Sequence, residues 1–372
     1  MKISNGGVDK RQIWAINGRF LTQRMTGVQR YAREIVAALD VLLSEQDDVA
    51  RRLRLRLVLP PGAQENLALS QIEIRQTGVG SGHAWDQFVL PWSRESGILS
   101  LGNFGPIAAR NQIVCMHDAN TFIEPESYSR AFGLAYRMLM PLIGKQARRV
   151  ATVSQFSADM LVKYRVCREE NIFIAPNGHE HALRWDASRA KISLVNTLKH
   201  RPYVLLLGSR AKHKNIDVIL NQAQGLDAAG IDIVVAGAVS DIFSASTSVL
   251  QRPNINQVGY VNEEDLAALY EGALCLVFPS KTEGFGIPPL EAMARGCPVI
   301  SSNAASLVEV GGDVVAYVDP DDGDGWRDAI IGLSRNEGLR ATMAAQGRKR
   351  AGLFSWKRSA QLYLNEIIRL LR

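Results

Sequence analysis
Short runs of β-branched and leucine residues alternate along the chain with stretches in which apolar positions recur every three or four residues. Such alternation marks strands buried on both faces and joined by crossover helices, and it predicts parallel sheets in an α/β architecture. Strands are expected at Ile13–Ile16, Leu53–Leu59, Ile113–Met116, Val150–Val153 and Ile172–Ala175, then at Tyr203–Leu207, Ile231–Ala236, Leu274–Phe278 and Pro298–Ser301. Helices are expected at Gly27–Leu43, Arg130–Lys145, Ser154–Tyr164, Ile216–Ala229, Glu263–Glu271 and Pro288–Arg295, with a final amphipathic one in Trp356–Arg372. The series breaks near Asn177–Lys199, where Pro176-Asn177-Gly178 closes one run of βα units and polar sequence precedes the next. The chain has 372 residues, which suits two domains, expected at 1–182 and 183–356.

Composition changes this picture little. Charged residues make up 22% and the net charge is +6, mostly from residues 1–180, which hold 22 basic and 17 acidic side chains. That excess is too thin for a nucleic-acid reader, which gathers its cations on one face, but it suits phosphates or an anionic membrane surface. The stretch Arg51-Arg52-Leu53-Arg54-Leu55-Arg56 fits an edge strand with one solvated face better than a membrane contact. Cys115, Cys167, Cys275 and Cys297 are far apart, with no zinc or CxxC spacing, and read as small buried thiols. No apolar N-terminal leader or spanning segment is seen, so a cytoplasmic location is expected, with peripheral contact at the inner face of the membrane as a separate hypothesis.

The chemistry concentrates in Lys281-Thr282-Glu283-Gly284-Phe285-Gly286-Ile287-Pro288-Pro289-Leu290-Glu291. A strand runs into a Gly-rich loop and then a helix whose prolines occupy a first turn, where a missing N–H costs nothing. Free amides and the positive helix end make an anion site there, and Gly284 and Gly286 let a ligand approach the backbone. Glu283 in the loop and Glu291, expected in the first helical turn, bracket one pocket, where carboxylates accept hydrogen bonds from ribose and sugar hydroxyls. Each alone reads equally well as a solvated or dipole-complementing residue; together they favour a site. In Gly208-Ser209-Arg210-Ala211-Lys212-His213-Lys214-Asn215, between a strand and a helix, Arg210 and Lys214 are the candidate phosphate cations, against a plain basic turn. His117, at the end of a β run, can point into a cleft between domains or serve as a structural histidine. Asp118 is read as fixing its loop or approaching an acceptor, and His83, His179, His181 and His200 receive no role. The Asp319-x-Asp321 and Asp322-x-Asp324 pattern is read as a turn, not a metal motif, and the GxGxxG dinucleotide fingerprint is absent.

These segments resemble family 4 of the retaining, nucleotide-sugar-dependent glycosyltransferases. The E-x7-E element Glu283 to Glu291 and the GSRAKHKN loop carry the resemblance over roughly 203–320, with Ser306-Leu307-Val308-Glu309-Val310 and Val318-Asp319-Pro320 continuing it. Upstream, Gly27-Val28-Gln29-Arg30-Tyr31, Cys115-Met116-His117-Asp118, Val153-Ser154-Gln155-Phe156-Ser157 and Pro176-Asn177-Gly178 are similar to further elements of that family, in order. The resemblance implies a GT-B fold, two Rossmann-like domains facing a cleft, with 357–372 crossing back to the first. It also implies a hexosyltransferase that retains configuration without a metal or cofactor, taking its donor on Gly27, Val28, Gly208, Arg210, Lys214, Glu283, Gly284, Phe285, Gly286, Ile287 and Glu291. His117, Glu283, Arg210 and Lys214 would be the catalytic set. Mannose from GDP-mannose is the favoured donor, passed to a lipid-linked or polysaccharide acceptor. The rivals are another GT-B enzyme, an epimerase or phosphorylase, and a non-catalytic nucleotide-sugar-binding protein.

Overall fold
A computed structural model describes residues 11–63, 67–92, 95–191, 201–208, 211–237 and 252–371. The first half forms a seven-stranded sheet from β1 (Gln12–Asn17), β2 (Leu53–Leu59), β3 (Glu73–Gln76), β4 (Gly97–Ser100), β5 (Gln112–Cys115), β6 (Arg149–Thr152) and β7 (Ile172–Ile174), in the order β3-β2-β1-β4-β5-β6-β7. The second half forms a six-stranded sheet from β8 (Tyr203–Leu207), β9 (Asp232–Ala236), β10 (Ile255–Gly259), β11 (Cys275–Phe278), β12 (Val299–Ser302) and β13 (Ala316–Val318), in the order β10-β9-β8-β11-β12-β13. All of these pairings are parallel.

Each sheet is apolar on both faces because helices cover both, and the side chains divide with the period of two that a strand imposes. In the first sheet Trp14, Ile16, Leu55, Leu57, Leu99 and Ile113 share one core with Tyr31, Ile35, Tyr363 and Ile367, from the Gly27–Glu45 and Trp356–Leu370 helices. Ala15, Val58 and Ile98 face the other way onto Trp85 and Leu90. Val114 and Val150 face that same way, onto Met140 and Ile143. Each fully buried leucine is worth roughly 1.5–3 kcal/mol of transfer free energy. The final helix thus returns to the first half, tied there by Tyr31 Oη to Tyr363 Oη at 2.9 Å and by the Arg149–Glu366 ion pair at 2.8 Å.

Several expectations change. β2 pairs with both β1 and β3, so it is interior and not an edge. Arg56, expected on a solvated face, is instead paired with Glu73 at 3.0 Å and Glu95 at 2.7 Å. The single helix expected over Ile216–Ala229 is two, Asp217–Leu220 and Ala223–Ala228, separated at Asn221–Gln222. Helices Gly323–Ser334 and Glu337–Ala351 were not anticipated; Asp322 of the acidic turn caps the former, accepting from Gly325 N at 2.9 Å. All four cysteines are buried and unpaired. Strand order reverses between β1 and β4 and between β8 and β11, and open α/β sheets receive ligands at the carboxyl ends beside such points.

Candidate functional site
The carboxyl end of β11 leads through residues 279–286 into the Ile287–Arg295 helix, with Pro288 and Pro289 in its first turn. Gly286 stands at the N-cap with φ 102°, the left-handed region that glycine enters without penalty, and no side chain among the described residues caps the amides behind it. Pro288 and Pro289 carry no N–H and the Leu290 amide is bonded to Gly286 O, so the Ile287 amide and the positive end of the helix face the cleft. Gly284 serves a second purpose beside the one expected. A Cβ there would lie 2.5 Å from the His117 carbonyl oxygen and 2.9 Å from Asp118 Cβ, so its missing side chain admits the other domain and not only a ligand. Ser154 and Ser157 donate to the Gly284 carbonyl at 2.6 and 3.0 Å, and Glu309 caps the Gln155–Lys163 helix across the same seam, accepting from Gln155 N at 2.8 Å and Phe156 N at 2.6 Å.

Lys214, beyond β8, reaches Glu283: Nζ is 2.5 Å from Oε1 and 5.6 Å from the centre of the Phe278 ring. The expected phosphate cation is thus neutralised by the expected donor carboxylate, both at the carboxyl edge of the second sheet. Gly208 follows β8, its amide donating to Ala236 O at 2.7 Å, and it is not on the cavity wall. Arg210 lies outside the described residues.

Glu291 is the fifth residue of its helix, one turn deeper than expected. Its Oε1 is 2.9 Å from His181 Nε2 and its Oε2 accepts from Tyr270 Oη at 3.1 Å. The Trp356 indole N–H donates to His181 Nδ1 at 3.1 Å. An indole can only donate, so Nδ1 is the acceptor and Nε2 carries the proton given to Glu291. Burial, then the Glu291 charge, holds the Tyr270 phenol well above its ordinary range, so it remains a donor. His181 is wholly buried. Sequence reasoning missed His181, Tyr270, Trp356 and Arg30. Arg30, in the first turn of the Gly27–Glu45 helix, pairs with Glu263 from the other domain and lies 3.7 Å from Glu34. Burial lowers its pKa, against the pull of Glu34 and Glu291.

His117 follows β5, and its Nε2 donates to Leu101 O at 2.9 Å while Asn103 Oδ1 accepts from its backbone amide at 2.8 Å. Tyr31 meets the imidazole edge-on at 4.8 Å. Burial disfavours the imidazolium, but the Cys115 sulfur and the Leu101 carbonyl outweigh it and leave the pKa raised. Burial also raises Asp118, helped by Glu283 and opposed by the Asn120 amide and Lys214.

These elements enclose one cavity of about 460 Å³. Gly27, Val28 and His117 line it from the first half, and Lys214, Glu283, Gly284, Phe285, Gly286, Ile287 and Glu291 from the second. Two helix N-termini meet across it, since a Cβ at Gly27 would touch Ile287 Cδ1 at 3.1 Å. Asn177 also lines it, and its buried Oδ1 has no partner among the described residues. Convergent amides, a lysine and two carboxylates can hold an anionic group beside a polyol.

Residues 189–350 match the family described as Glycosyl transferases group 1. The O-antigen chain mannosyltransferase RfbU of Salmonella typhimurium is 32% identical over 230 residues, covering 61% of this chain and 62% of that protein, less than two thirds of its length. O-antigen chain mannosyltransferase B of Escherichia coli is 28% identical over 270 residues, covering 70% and 71%. A sucrose-phosphate synthase from Thermosynechococcus elongatus, 17% identical, superposes with a TM-score of 0.69 over 97% of this chain and 99% of its own, a likeness of fold. Residues 189–350 therefore match a group 1 glycosyltransferase domain, and the two sheets together have the GT-B architecture.

Proposed function
We propose that the protein is a retaining glycosyltransferase that moves mannose from GDP-mannose to a hydroxyl of a lipid-linked or polysaccharide acceptor, without a metal ion or cofactor. The observation that carries the reading is the convergence on one cavity of two uncapped helix ends, Lys214, Glu283 and Glu291. The two mannosyltransferase relatives favour the sugar. The donor diphosphate lies against the N-termini of the Ile287–Arg295 and Gly27–Glu45 helices and draws Lys214 away from Glu283. Glu283 and Glu291 then accept hydrogen bonds from the donor's hydroxyls. Charge grows on the departing diphosphate in the transition state, and preorganised amides and a cation stabilise it there more than in the ground state. His117, anchored on Leu101, presents its other edge to the transferred sugar. No side chain is assigned as nucleophile; the acceptor hydroxyl attacks from the face the diphosphate leaves and passes its proton to a phosphate oxygen.

A thermal-shift screen of GDP-mannose, UDP-glucose, UDP-N-acetylglucosamine and dTDP-rhamnose tests the donor, with about 2.7 kcal/mol of stabilisation expected from the right one at a hundredfold excess over Kd. Transfer of labelled mannose should vanish in Glu283→Ala with the fold intact by circular dichroism. Unchanged turnover in that variant would overturn the donor assignment. Loss of activity in EDTA with recovery on Mn²⁺ would overturn the metal-free mechanism. Donor binding with neither transfer nor hydrolysis would favour a binding protein.

A further inference from the structure
The first sheet has a helical layer on each face, and the two layers end differently. The Gly27–Glu45 helix is covered by the Trp356–Leu370 helix, which ties to it through the Lys357–Glu45 ion pair at 2.7 Å and the Gln46–Gln361 hydrogen bond at 2.7 Å. On the opposite face the Arg130–Gln146 helix turns Gly133, Met140, Ile143 and Gly144 inward. Its outer stripe is apolar too. Leu134, Met138 and Leu142, one turn apart, are 56%, 62% and 48% exposed. Farther along the same sheet face, Phe88 and Trp92 are each 76% exposed. A helix buried on one side ordinarily carries polar residues on the other.

Charge identifies what would cover this surface. The 17 residues of the helix contain no aspartate or glutamate, but they include Arg130, Arg137 and Lys145, with Arg148 just beyond. A second copy docking here through a two-fold axis would bring these cations against their own counterparts. An anionic headgroup layer accepts the apolar stripe and the flanking cations together. We propose that Leu134, Met138 and Leu142, with Phe88 and Trp92, insert into the headgroup region of an anionic bilayer while Arg130, Arg137 and Lys145 meet lipid phosphates. The surface also lies beside the cleft. Ser127 and Tyr128, just ahead of the helix, touch the loop that carries Lys214: Ser127 Oγ is 3.3 Å from the His213 amide, and the Tyr128 ring stacks 6.4 Å from the His213 ring. An acceptor whose lipid stays in the bilayer would meet the donor there. The inference rests on the lipid-linked acceptor reading for its purpose, not for its geometry.

The test is co-sedimentation of the full chain, without donor or acceptor, with phosphatidylcholine vesicles containing or lacking phosphatidylglycerol. The native protein should pellet with the anionic vesicles and remain largely in solution with the neutral ones. Leu134→Ser/Met138→Ser/Leu142→Ser, all at exposed positions, should weaken binding at least about tenfold. Arg130→Gln, Arg137→Gln and Lys145→Gln should weaken it by about fivefold each, with a matching loss of salt dependence. Native protein that ignores both vesicles, or a triple serine variant that pellets like it, overturns the proposal. So does a dimer in sedimentation velocity that the serine variant abolishes, which would make a second copy the occupant. Neither donor binding nor transfer enters this measurement, so its failure leaves the transferase reading standing.

Discussion

Replacing His181 separates two bonds that one imidazole makes at opposite edges. Glutamine places its amide near the position of Nε2 and asparagine near that of Nδ1. His181→Gln therefore keeps a donor toward Glu291 and strands the Trp356 indole N–H, whereas His181→Asn keeps an acceptor for Trp356 and withdraws the donor from Glu291. A buried donor left unpaired costs about 1–3 kcal/mol, so the glutamine variant should lose about that much stability while its donor KM stays close to native. The bond given to a carboxylate is worth about 1.5–3 kcal/mol, and each 1.4 kcal/mol is tenfold. Tyr270 still holds Oε2 at 3.1 Å, which places the asparagine variant at the lower end, with donor KM raised about tenfold and kcat changed less. Urea unfolding followed by fluorescence reads the first quantity, and steady-state transfer from labelled GDP-mannose reads the second. If the two variants moved both readouts equally, or the asparagine variant kept a native KM, His181 would not be orienting Glu291.

Lys214→Met should weaken nucleotide binding by about tenfold or more, with Lys214→Arg recovering part of it; isothermal titration with the free nucleotide is the check, and an unchanged Kd refutes the role. Gly284→Ala drives a methyl against the His117 carbonyl, an immovable neighbour, and should cost about 1–3 kcal/mol by thermal melting and lower kcat by holding the two domains apart. His213 supplies a pH dependence. Burial, then Lys214, holds its pKa down to about 4, while the unfolded chain binds that proton near 6.5. Its contribution is complete above pH 6.5 and declines as pH falls toward about 4, by about 2 kcal/mol at pH 5. His213→Phe should flatten the urea midpoint between pH 7 and 5, and an undiminished slope would place the effect elsewhere.

The donor side was legible because its signals are local. A strand, two glycines, three prolines and two glutamates fall within 18 residues, Leu274–Glu291, and each constrains the backbone near the next. The His181 linkage was not legible, because its partners lie 110 and 175 residues away and a histidine after Pro-Asn-Gly carries no periodicity that names them. The missed strands have similar causes. Glu73–Gln76 has three exposed residues of four and offers no apolar run, and Gly97–Ser100 is only four residues long and opens on a glycine. Glu337–Ala351 buries only Met343, Gly347 and Ala351 inside it, too sparse a stripe to announce a helix. The basic segment of β2 misled in the opposite sense: alternation that suggested solvent was satisfied by carboxylates from Glu73 and Glu95.

Around Trp356 the chain returning to the first half lies against the segment that left it. Phe354 O is 2.6 Å from His179 Nδ1, the Trp356 amide donates to Glu180 at 3.1 Å, and its indole holds His181. Two side-by-side straps fastened in this way would act on any opening of the cleft like the paired leaves of a hinge. Opening would then unfasten the far latch, where Ser154 and Ser157 grip Gly284, while Glu291 rides close to the pivot and hardly moves. A donor arriving or a spent nucleotide departing would find one carboxylate already in place and the other side of its pocket swinging to meet it.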